Sequence, residues 1–328
     1  MSNYPEVRLR RLRRTPAIRR LFDMPMPGPE RFMWPVFVVP GKRQRQKIDS
    51  MPGQYRYSVD TLIRDLRPVV ESGVGSILIF GLVEDADKDC NGSSARDDNG
   101  PVQQAVRAVR REYPDLVVFT DVCLCAYTTH GHCGPLSGAG DVDNDAANEL
   151  LAKTAVSHAA AGADGVAPSA MMDGQVRAIR AAMDRGGFQQ TILMSYSTKF
   201  ASSMYGPFRE AEKSAPQRGD RHGYQSSFAN PSLALRESAM DEAEGADMLM
   251  VKPSLFYLDI IARLRGSTDL PIAAYNVSGE YSMLIATADR GWGVLRDMVR
   301  ESTIALARSG ADLLISYWAN QYRKLLGA

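Results

Sequence analysis

Cysteine is scarce in this chain of 328 residues, which contains four. That number is too small for a scaffold held together by disulfides. Three of the four also fall within residues 121–134, DVCLCAYTTHGHCG, where they lie too close in sequence to join distant segments. The scarcity and the clustering together favour a reducing compartment, so we expect the protein to be cytoplasmic.

Features that direct a protein to nucleic acid or lipid are also missing. The formal net charge is +1, so no overall field attracts either partner. No run of about 20 apolar residues is present, which excludes a transmembrane helix. The N-terminal segment lacks the apolar stretch of a secretory signal. We therefore expect neither nucleic acid nor a membrane as a partner.

Charge of one sign is concentrated in one segment, residues 8–22, RLRRLRRTPAIRRLF. A transit peptide is one interpretation, although serine is rare here, and a nucleic-acid contact is another, although no later segment adds to the basic patch. The third is an arm laid against a neighbouring subunit with its leucines facing that subunit. We favour the third and predict an oligomerisation arm over residues 1–30, followed by one catalytic domain over residues 31–328.

Eight short apolar runs alternate with longer amphipathic stretches. Such alternation is typical of parallel strands covered by helices, and eight strands are the number that closes as a (β/α)8, or TIM, barrel. A doubly wound open sheet is the alternative, but no G-x-G-x-x-G follows the first run. The sequence therefore predicts an α/β fold, a TIM barrel preceded by an N-terminal extended arm. The predicted strands are residues 34–41, 76–81, 116–124, 164–170, 191–199, 247–253, 271–279 and 312–319.

The tripeptide Gly-Ala-Asp forms a weak internal repeat. It occurs at residues 162–164, 245–247 and 310–312, each time between a predicted helix and the next apolar run. This position is typical of the return from helix to strand in a β/α unit.

Two of the predicted strands end in lysine, at Lys199 and Lys252. In a TIM barrel the active site lies at the carboxyl ends of the strands. An apolar environment and a nearby like charge both lower the pKa of a lysine, and its neutral amine can then form a Schiff base with a ketone. The alternative is that each side chain extends into solvent at the barrel mouth. Two lysines on neighbouring strands favour the chemical role.

Three of the cysteines, Cys123, Cys125 and Cys133, have the spacing C-x-C-x7-C, which begins at the end of the third predicted strand. Thiolates suit Zn²⁺, and three protein ligands leave a fourth position open for water or substrate. The alternatives are a closed structural site with His132 as the fourth ligand, or three thiols without a joint role. Asp121, two residues before the first thiol, is a candidate for moving a proton. The pattern predicts a catalytic zinc site.

Two segments, residues 82–100 and 200–230, are longer than the connections of a barrel require. Long loops in compact domains often form lids or carry binding residues. Arg209 and Arg221 in the second segment are candidate clamps for a carboxylate, since guanidinium binds it in bidentate fashion. Solvated loop arginines are the simpler interpretation. Further candidates at the strand ends, each with a hydroxyl group, are Ser169, Ser278 and Tyr317.

Four segments taken together resemble the porphobilinogen synthase family, also called 5-aminolevulinate dehydratase. They are DVCLCAYTTHGHCG, MSYSTKFASSMYGPFREA, VKPSLFYLDII and PIAAYNVSGEY. The resemblance extends from the arm to the end of the chain. It implies a hydro-lyase that condenses two molecules of 5-aminolevulinate to porphobilinogen with loss of two waters, in tetrapyrrole (haem) biosynthesis. It also implies a TIM barrel with an arm that embraces a neighbour, and a homo-octamer.

The resemblance also implies roles for individual residues. Lys199 and Lys252 would both form Schiff bases with substrate, and the three thiols match the branch of the family that binds Zn²⁺. We add Asp121 and Ser169 to the catalytic set. An allosteric Mg²⁺ would be bound by Glu237. The residues expected to hold the two substrate carboxylates are Arg209, Arg221 and Gln225 for one, and Ser278 and Tyr317 for the other.

Two positions depart from the pattern of the family, Ala126 and His222, and neither removes a named group. Two other functions remain open at this point. A class I Schiff-base aldolase needs one lysine and no metal. A non-catalytic zinc-binding oligomeric scaffold would keep the thiols but has no use for both lysines.

Overall fold

The computed structural model describes residues 3–217 and 219–327, and the apolar runs of the sequence form strands within these ranges. Ten strands are present there, and eight of them coincide with the predicted runs. The strands are β1 (Phe32–Val38), β2 (Arg45–Lys47), β3 (Tyr55–Tyr57), β4 (Ser76–Gly81), β5 (Val117–Val122), β6 (Gly165–Pro168), β7 (Ile192–Lys199), β8 (Met248–Lys252), β9 (Ile272–Asn276) and β10 (Leu313–Ser316).

Eight of these strands close into a parallel barrel. β1 pairs with β4, the order then follows the chain to β10, and β10 returns to β1 through the pairs Phe32–Leu314 and Met33–Ile315. Nearly every residue of the barrel strands is buried, because helices cover the outside and side chains fill the interior. The prediction of a TIM barrel is confirmed.

Helices connect successive barrel strands. In the described part of the chain, none of them is both long enough and apolar enough to cross a membrane. The α-helices are α1 (Pro16–Arg20), α2 (Val59–Glu71), α3 (Pro101–Glu112), α4 (Asn144–Ala160), α5 (Gln175–Arg185), α6 (Gly206–Glu212), α7 (Pro231–Ala243), α8 (Leu258–Arg265), α9 (Ser278–Asp289), α10 (Leu295–Arg308) and α11 (Tyr322–Leu325). Short 3-10 helices span Leu9–Arg13, Pro29–Arg31, Asp85–Asp87, Ser93–Arg96, Ser203–Tyr205, Leu255–Tyr257 and Tyr317–Gln321.

The hairpin formed by β2 and β3 was not among the predicted strands. The two strands pair in antiparallel fashion, and β3 joins the carboxyl end of β1 through the pairs Phe37–Arg56 and Val38–Tyr57. All three residues of β2 are exposed, so the segment lacks the apolar pattern that marks a strand. The hairpin lies at the mouth of the barrel, where the candidate site is expected.

The Gly-Ala-Asp repeat has a structural role at the opposite end of the barrel. In each copy the aspartate carboxylate accepts a hydrogen bond from a backbone amide at the start of the preceding barrel strand. These bonds link the beginnings of neighbouring strands and so help to fix their register. The pairs are Asp164 with Val118, Asp247 with Leu193, and Asp312 with Ile272.

The predicted arm begins with two short helices that have no buried residue, the 3-10 helix Leu9–Arg13 and α1. Leu9 and Leu21 are both 76% exposed and Leu12 is 57% exposed. The barrel of the same chain therefore does not cover these leucines. The role of residues 1–30 in oligomerisation stays a prediction.

Candidate active site

The two lysines predicted from the strand ends lie side by side. Lys199 ends β7 and Lys252 ends β8, and the two residues are paired in the register of these strands. Both side chains are buried, and they are close enough for the charge of one to act on the other. The carboxyl end of the barrel therefore holds a pair of interacting amines.

The amine of Lys252 is surrounded by aromatic rings. Its Nζ lies 4.2 Å from the ring centroid of Tyr275 and 4.5 Å from that of Phe208. Burial and, second, the positive charge of Lys199 lower the pKa of Lys252 to about 7. A substantial fraction of this lysine is thus neutral at pH 7, and the neutral form attacks carbonyl carbon.

Lys199 is held by the neighbouring strand end. Its Nζ donates a hydrogen bond to the backbone carbonyl of Ser169, which directly follows β6. The same Nζ lies 5.5 Å from the ring centroid of Tyr196. Ser169, a predicted catalytic residue, is therefore in contact with one of the two lysines.

Asp121, on β5, lies close enough to both lysines for their charges to act on it. Burial and the negative charge of Glu212 raise the pKa of Asp121 to about 7, although the charges of both lysines oppose the rise. Its Oδ1 is buried and has no hydrogen-bond partner among the described residues. A carboxyl group that titrates near neutral pH can both take up and release a proton during a reaction.

The three thiols predicted as metal ligands converge. The Sγ atoms of Cys123, Cys125 and Cys133 lie within 4.8 Å of one another, and all three residues are reduced and buried. Thiol hydrogen bonds from Cys123 and Cys125 stabilise the Cys133 thiolate, so the pKa of Cys133 falls well below its usual range. Three grouped sulfur ligands of which one ionises readily fit a soft or borderline metal ion.

The alternative of a fourth ligand from His132 is not favoured by the geometry. Among the His, Cys, Asp and Glu side chains of residues 3–217 and 219–327, the three cysteines form the one group spaced to hold a metal ion. The Nδ1 of His132 instead lies 3.3 Å from the hydroxyl oxygen of Tyr224. The thiol group is therefore a set of three protein ligands that does not include His132.

Glu212 is a buried carboxylate beside the thiols that sequence analysis did not single out. Its Oε2 accepts hydrogen bonds from Sγ of Cys125 at 3.5 Å and from Oγ of Ser214 at 2.6 Å. Cys125 and Glu212 are 87 positions apart in the chain. No motif joins such distant positions, so the sequence carried no signal for this contact.

Arg209 and Arg221 are close enough for their charges to repel. Burial and then the charge of Arg221 lower the pKa of Arg209. Arg221 donates from Nη2 to the carbonyls of Gly131, at 3.0 Å, and Ser214, at 2.6 Å. The Nε atoms of both arginines and both polar atoms of the Gln225 side chain are buried without a hydrogen-bond partner in the described residues. Unpaired buried donors beside two cations favour the binding of an anionic group.

Ser278 and Tyr317 are fully buried, and their hydroxyl groups bond within the chain. The Oγ of Ser278 accepts from the backbone amide of Phe208 at 2.9 Å. The hydroxyl oxygens of Tyr317 and Tyr275 lie 3.1 Å apart. A carboxylate that binds to either predicted residue has to replace or share these bonds.

Glu237, predicted to bind Mg²⁺, lies on α7 and away from the three thiols. It accepts a hydrogen bond from Oγ of Ser226, and burial raises its pKa. No group of three metal-ligating side chains in the described part of the chain includes it. The magnesium site therefore stays a prediction.

A buried lysine with a pKa near 7 at the mouth of a barrel can attack the carbonyl carbon of a substrate. The thiols beside it can hold a metal ion, and the paired arginines can hold an acidic group. Together with the fold, these features define a class, the TIM-barrel enzymes that act on carbonyl compounds.

Comparisons with known proteins narrow this class. A family model described as delta-aminolevulinic acid dehydratase matches residues 6–325. The delta-aminolevulinic acid dehydratase of Archaeoglobus fulgidus is 46% identical over 326 residues, covering 99% of this chain and 100% of that protein. The protein of the same name from Synechococcus elongatus is 48% identical over 326 residues, covering 98% and 99%.

A solved structure is similar over almost the whole chain. It is delta-aminolevulinic acid dehydratase (porphobilinogen synthase) from Toxoplasma gondii, in complex with the reaction product porphobilinogen. The TM-score is 0.94 at 39% sequence identity, covering 97% of this chain and 91% of that chain. The chain belongs to the delta-aminolevulinic acid dehydratase family, and the resemblance seen in the sequence is confirmed.

Proposed function

We propose that this protein condenses two molecules of 5-aminolevulinate to porphobilinogen with loss of two waters, as a hydro-lyase of tetrapyrrole biosynthesis. Membership of the family confirms the predicted activity. The observation that carries the mechanism is the pair of lysines in register, one of which has a pKa of about 7. One substrate bound at each lysine would place two keto acids side by side, and such fixed proximity lowers the barrier to their condensation.

Lys252 and Lys199 are proposed to form Schiff bases with the two substrate ketones. The neutral nitrogen of Lys252 attacks the ketone carbon and forms a C–N bond. The carbonyl oxygen then leaves as water, taking up protons, and an imine remains. The same exchange at Lys199 requires that its amine leave the Ser169 carbonyl to which it is bonded.

Asp121 is proposed to move protons between these steps. Its pKa of about 7 and its unpaired buried oxygen support this role. The carboxyl group can donate a proton to the departing oxygen and accept one from the attacking nitrogen. Ser169 is proposed to assist by holding Lys199 through its backbone carbonyl.

The substrate carboxylates are proposed to bind at two places. Arg209, Arg221 and Gln225 offer buried donors that have no partner within the chain, which supports their binding of one carboxylate. Ser278 and Tyr317 are proposed to bind the other through their hydroxyl groups. Both clusters lie at the barrel mouth, so each substrate would be held at its acid end and at its ketone.

The thiol group is able to hold a metal ion, and we propose that the ion is Zn²⁺. Three buried thiols with an ionisable member and a fourth position open fit a catalytic zinc site better than a magnesium site. A zinc ion bound there would supply Lewis-acid polarisation of a carbonyl or amine group of the substrate. Glu237 remains our proposed ligand for an allosteric Mg²⁺.

We also propose how the protein assembles and in which compartment it is located. The exposed leucines of residues 1–30 support an arm that packs on a neighbouring subunit, in a homo-octamer. The scarcity of cysteine and its crowding into one segment, where it cannot join distant parts of the chain, support a cytoplasmic location. The remaining partner is the small substrate itself.

The test is porphobilinogen formation from 5-aminolevulinate by the purified protein, before and after chelation and again with Zn²⁺ restored. Loss on chelation and recovery with Zn²⁺ is the expected result. Unchanged turnover by protein shown to be free of metal would contradict the zinc role but not the lysine chemistry. The absence of product under every metal condition would contradict the proposed function.

A further inference from the structure

Arg56 is a buried arginine to which the proposed reaction assigns no role. It lies on β3, and its Nε and Nη2 donate hydrogen bonds to the backbone carbonyls of Ala211 and Glu210, both at 2.6 Å. Burial lowers the pKa of Arg56, and no ion pair within the described residues includes it. Two backbone carbonyls therefore take the place that a carboxylate usually has beside a buried guanidinium.

These carbonyls belong to the last turn of α6, Gly206–Glu212. Carbonyls in the last turn of a helix lack the amide four residues on within the helix, and that of Glu210 accepts only a long bond of 3.4 Å from the capping amide of Lys213, so outside donors that reach these carbonyls stabilise that end. Arg56 is itself fixed, because its backbone is paired with Phe37 of β1. The arginine thus ties the end of α6 to the wall of the barrel.

α6 carries three side chains of the candidate site. The ring centroid of Phe208 lies 4.5 Å from Nζ of Lys252. Arg209 has a buried Nε without a partner in the described chain, and Glu212 contacts the thiol of Cys125. The position of all three depends on where the helix is held.

The opposite end of α6 is held differently. Its Phe208 amide donates to Oγ of Ser278, and the backbone around Met204 lies so close to Gly279 that a Cβ there would be 2.5 Å from the Met204 carbonyl oxygen. In the proposed function Ser278 binds a substrate carboxylate, which competes for the same hydroxyl. The Arg56 bonds involve no group that is expected to bind substrate, so that end can stay in place when substrate arrives.

We propose that Arg56 is a positioning residue that anchors the C-terminal end of α6 over the active site. The anchor keeps Phe208 on Lys252 and directs Arg209 to the substrate, while the end at Ser278 exchanges its partner for a substrate carboxylate. What the helix does in the reaction rests on the proposed function. The anchoring itself rests on the two hydrogen bonds.

The test compares Arg56→Met, which keeps an unbranched side chain but removes every donor, with Arg56→Lys, which keeps the charge and one donor nitrogen. Hydrogen exchange of the intact zinc-loaded protein, without substrate, is expected to become roughly tenfold faster over residues 206–217 in Arg56→Met. The KM for 5-aminolevulinate is expected to rise roughly tenfold while kcat changes less, because Arg209 is held less well in the ground state. Arg56→Lys is expected to lie between wild type and Arg56→Met on both measures.

Arg45→Met is the matched control. Arg45 lies on the other strand of the same hairpin, bonds to Asp65 and stacks on Tyr55, so this variant should keep wild-type exchange and KM. The proposal would be overturned if Arg56→Met kept both the wild-type rate of hydrogen exchange over residues 206–217 and the wild-type KM. It would also be overturned if hydrogen exchange in β1 and β3 rose as much as it does over residues 206–217. If Arg56→Met does not fold, Arg56→Lys decides by the same two measurements. A wild-type protein that makes no porphobilinogen would refute the proposed function, whereas the exchange data would still decide the anchor.

Discussion

At the scale of one residue, the surroundings of Lys252 both attract its positive charge and disfavour it through burial. Five aromatic rings have centroids within 5.8 Å of its Nζ, and aromatic faces attract a cation. The same rings exclude water from the amine, and loss of hydration together with the charge of Lys199 disfavours the protonated form more strongly. The net result is a pKa of about 7, which suits a nucleophile at neutral pH.

Replacement of this amine should stop the reaction. We expect Lys252→Ala to lose turnover by on the order of 10³-fold or more, because the substrate bound at this position then has no amine with which to form a Schiff base, and Lys199 is engaged by the other substrate. Borohydride reduction in the presence of 5-aminolevulinate, followed by peptide mass spectrometry, should find substrate attached to residue 252 in wild type and not in the variant. Lys153→Ala, which changes an exposed lysine on α4, is the control and should retain both turnover and the adduct. Full turnover by Lys252→Ala would contradict the assigned role.

The pKa of Lys252 also sets the pH dependence. As pH rises toward 7 the amine loses its proton, so kcat/KM should rise about tenfold per pH unit below that point. The charged groups that act on it are Lys199, which lowers the pKa, and Asp121, Glu212 and Cys125, which raise it. A rising limb with its midpoint near 10, the value for a solvated lysine, would show that the amine is not perturbed.

At the scale of elements, the barrel is held at its two ends by different contacts. At the amino ends of the strands, the aspartates of the Gly-Ala-Asp repeat bind amides of neighbouring strands, as Asp247 binds Leu193 at 2.8 Å. At the carboxyl ends, Glu280 of α9 accepts hydrogen bonds from the amides of Ser254, Leu255 and Val277. These bonds join the loop after Lys252 to the loop that begins α9, and so support the position of the catalytic lysine.

Removal of one aspartate of the repeat tests the amino-terminal contacts. We expect Asp247→Ala to lower the free energy of unfolding by about 1 kcal/mol, because the amide of the buried Leu193 loses its acceptor. Urea denaturation measures the change. The control is Asp184→Ala, which breaks a surface pair with Arg180 and should cost less than about 0.5 kcal/mol. Equal losses in the two variants would mean that the repeat has no special role in the barrel.

At the scale of the whole molecule, the barrel and the arm differ in how they bury apolar side chains. The barrel buries its apolar side chains in two large clusters, whereas the helices of the arm leave Leu9, Leu12 and Leu21 largely in solvent. Exposed leucines on a basic segment become buried when another surface covers them, and burial of one such side chain is worth roughly 1.5–3 kcal/mol. A second copy of the chain is the partner we expect for this surface.

A charge placed among these leucines should therefore weaken assembly without unfolding the barrel. We expect the double variant Leu9→Asp, Leu12→Asp to sediment as a smaller species than wild type, with an unchanged far-ultraviolet circular dichroism spectrum. Arg10→Asp, Arg11→Asp changes charge in the same segment but keeps the leucines, and separates an electrostatic contact from an apolar one. Unchanged sedimentation of the leucine variant would contradict the arm as the oligomerisation element.

The sequence by itself determined the barrel, the lysines, the thiols and the family. Eight apolar runs separated by amphipathic stretches show the periodicity of strands and helices. Lys199 and Lys252 can be recognised in the sequence because they follow the apolar residues of two of these runs. Cys123, Cys125 and Cys133 are neighbours in sequence, so a local motif was enough to predict the cluster. These signals are local, and the rule that strand ends meet at one face of a barrel converts them into a site.

Only the tertiary structure decided which distant side chains meet at that site. Glu212 reaches Cys125, Arg56 reaches the end of α6, and Phe208 lies on Lys252 because helices and hairpins pack across the barrel mouth. The three polar residues of β2 gave no apolar pattern, so the hairpin that carries Arg56 was not predicted. The pKa values of Lys252 and Asp121 near 7 also arise from packing, because burial and charges from distant parts of the chain set them.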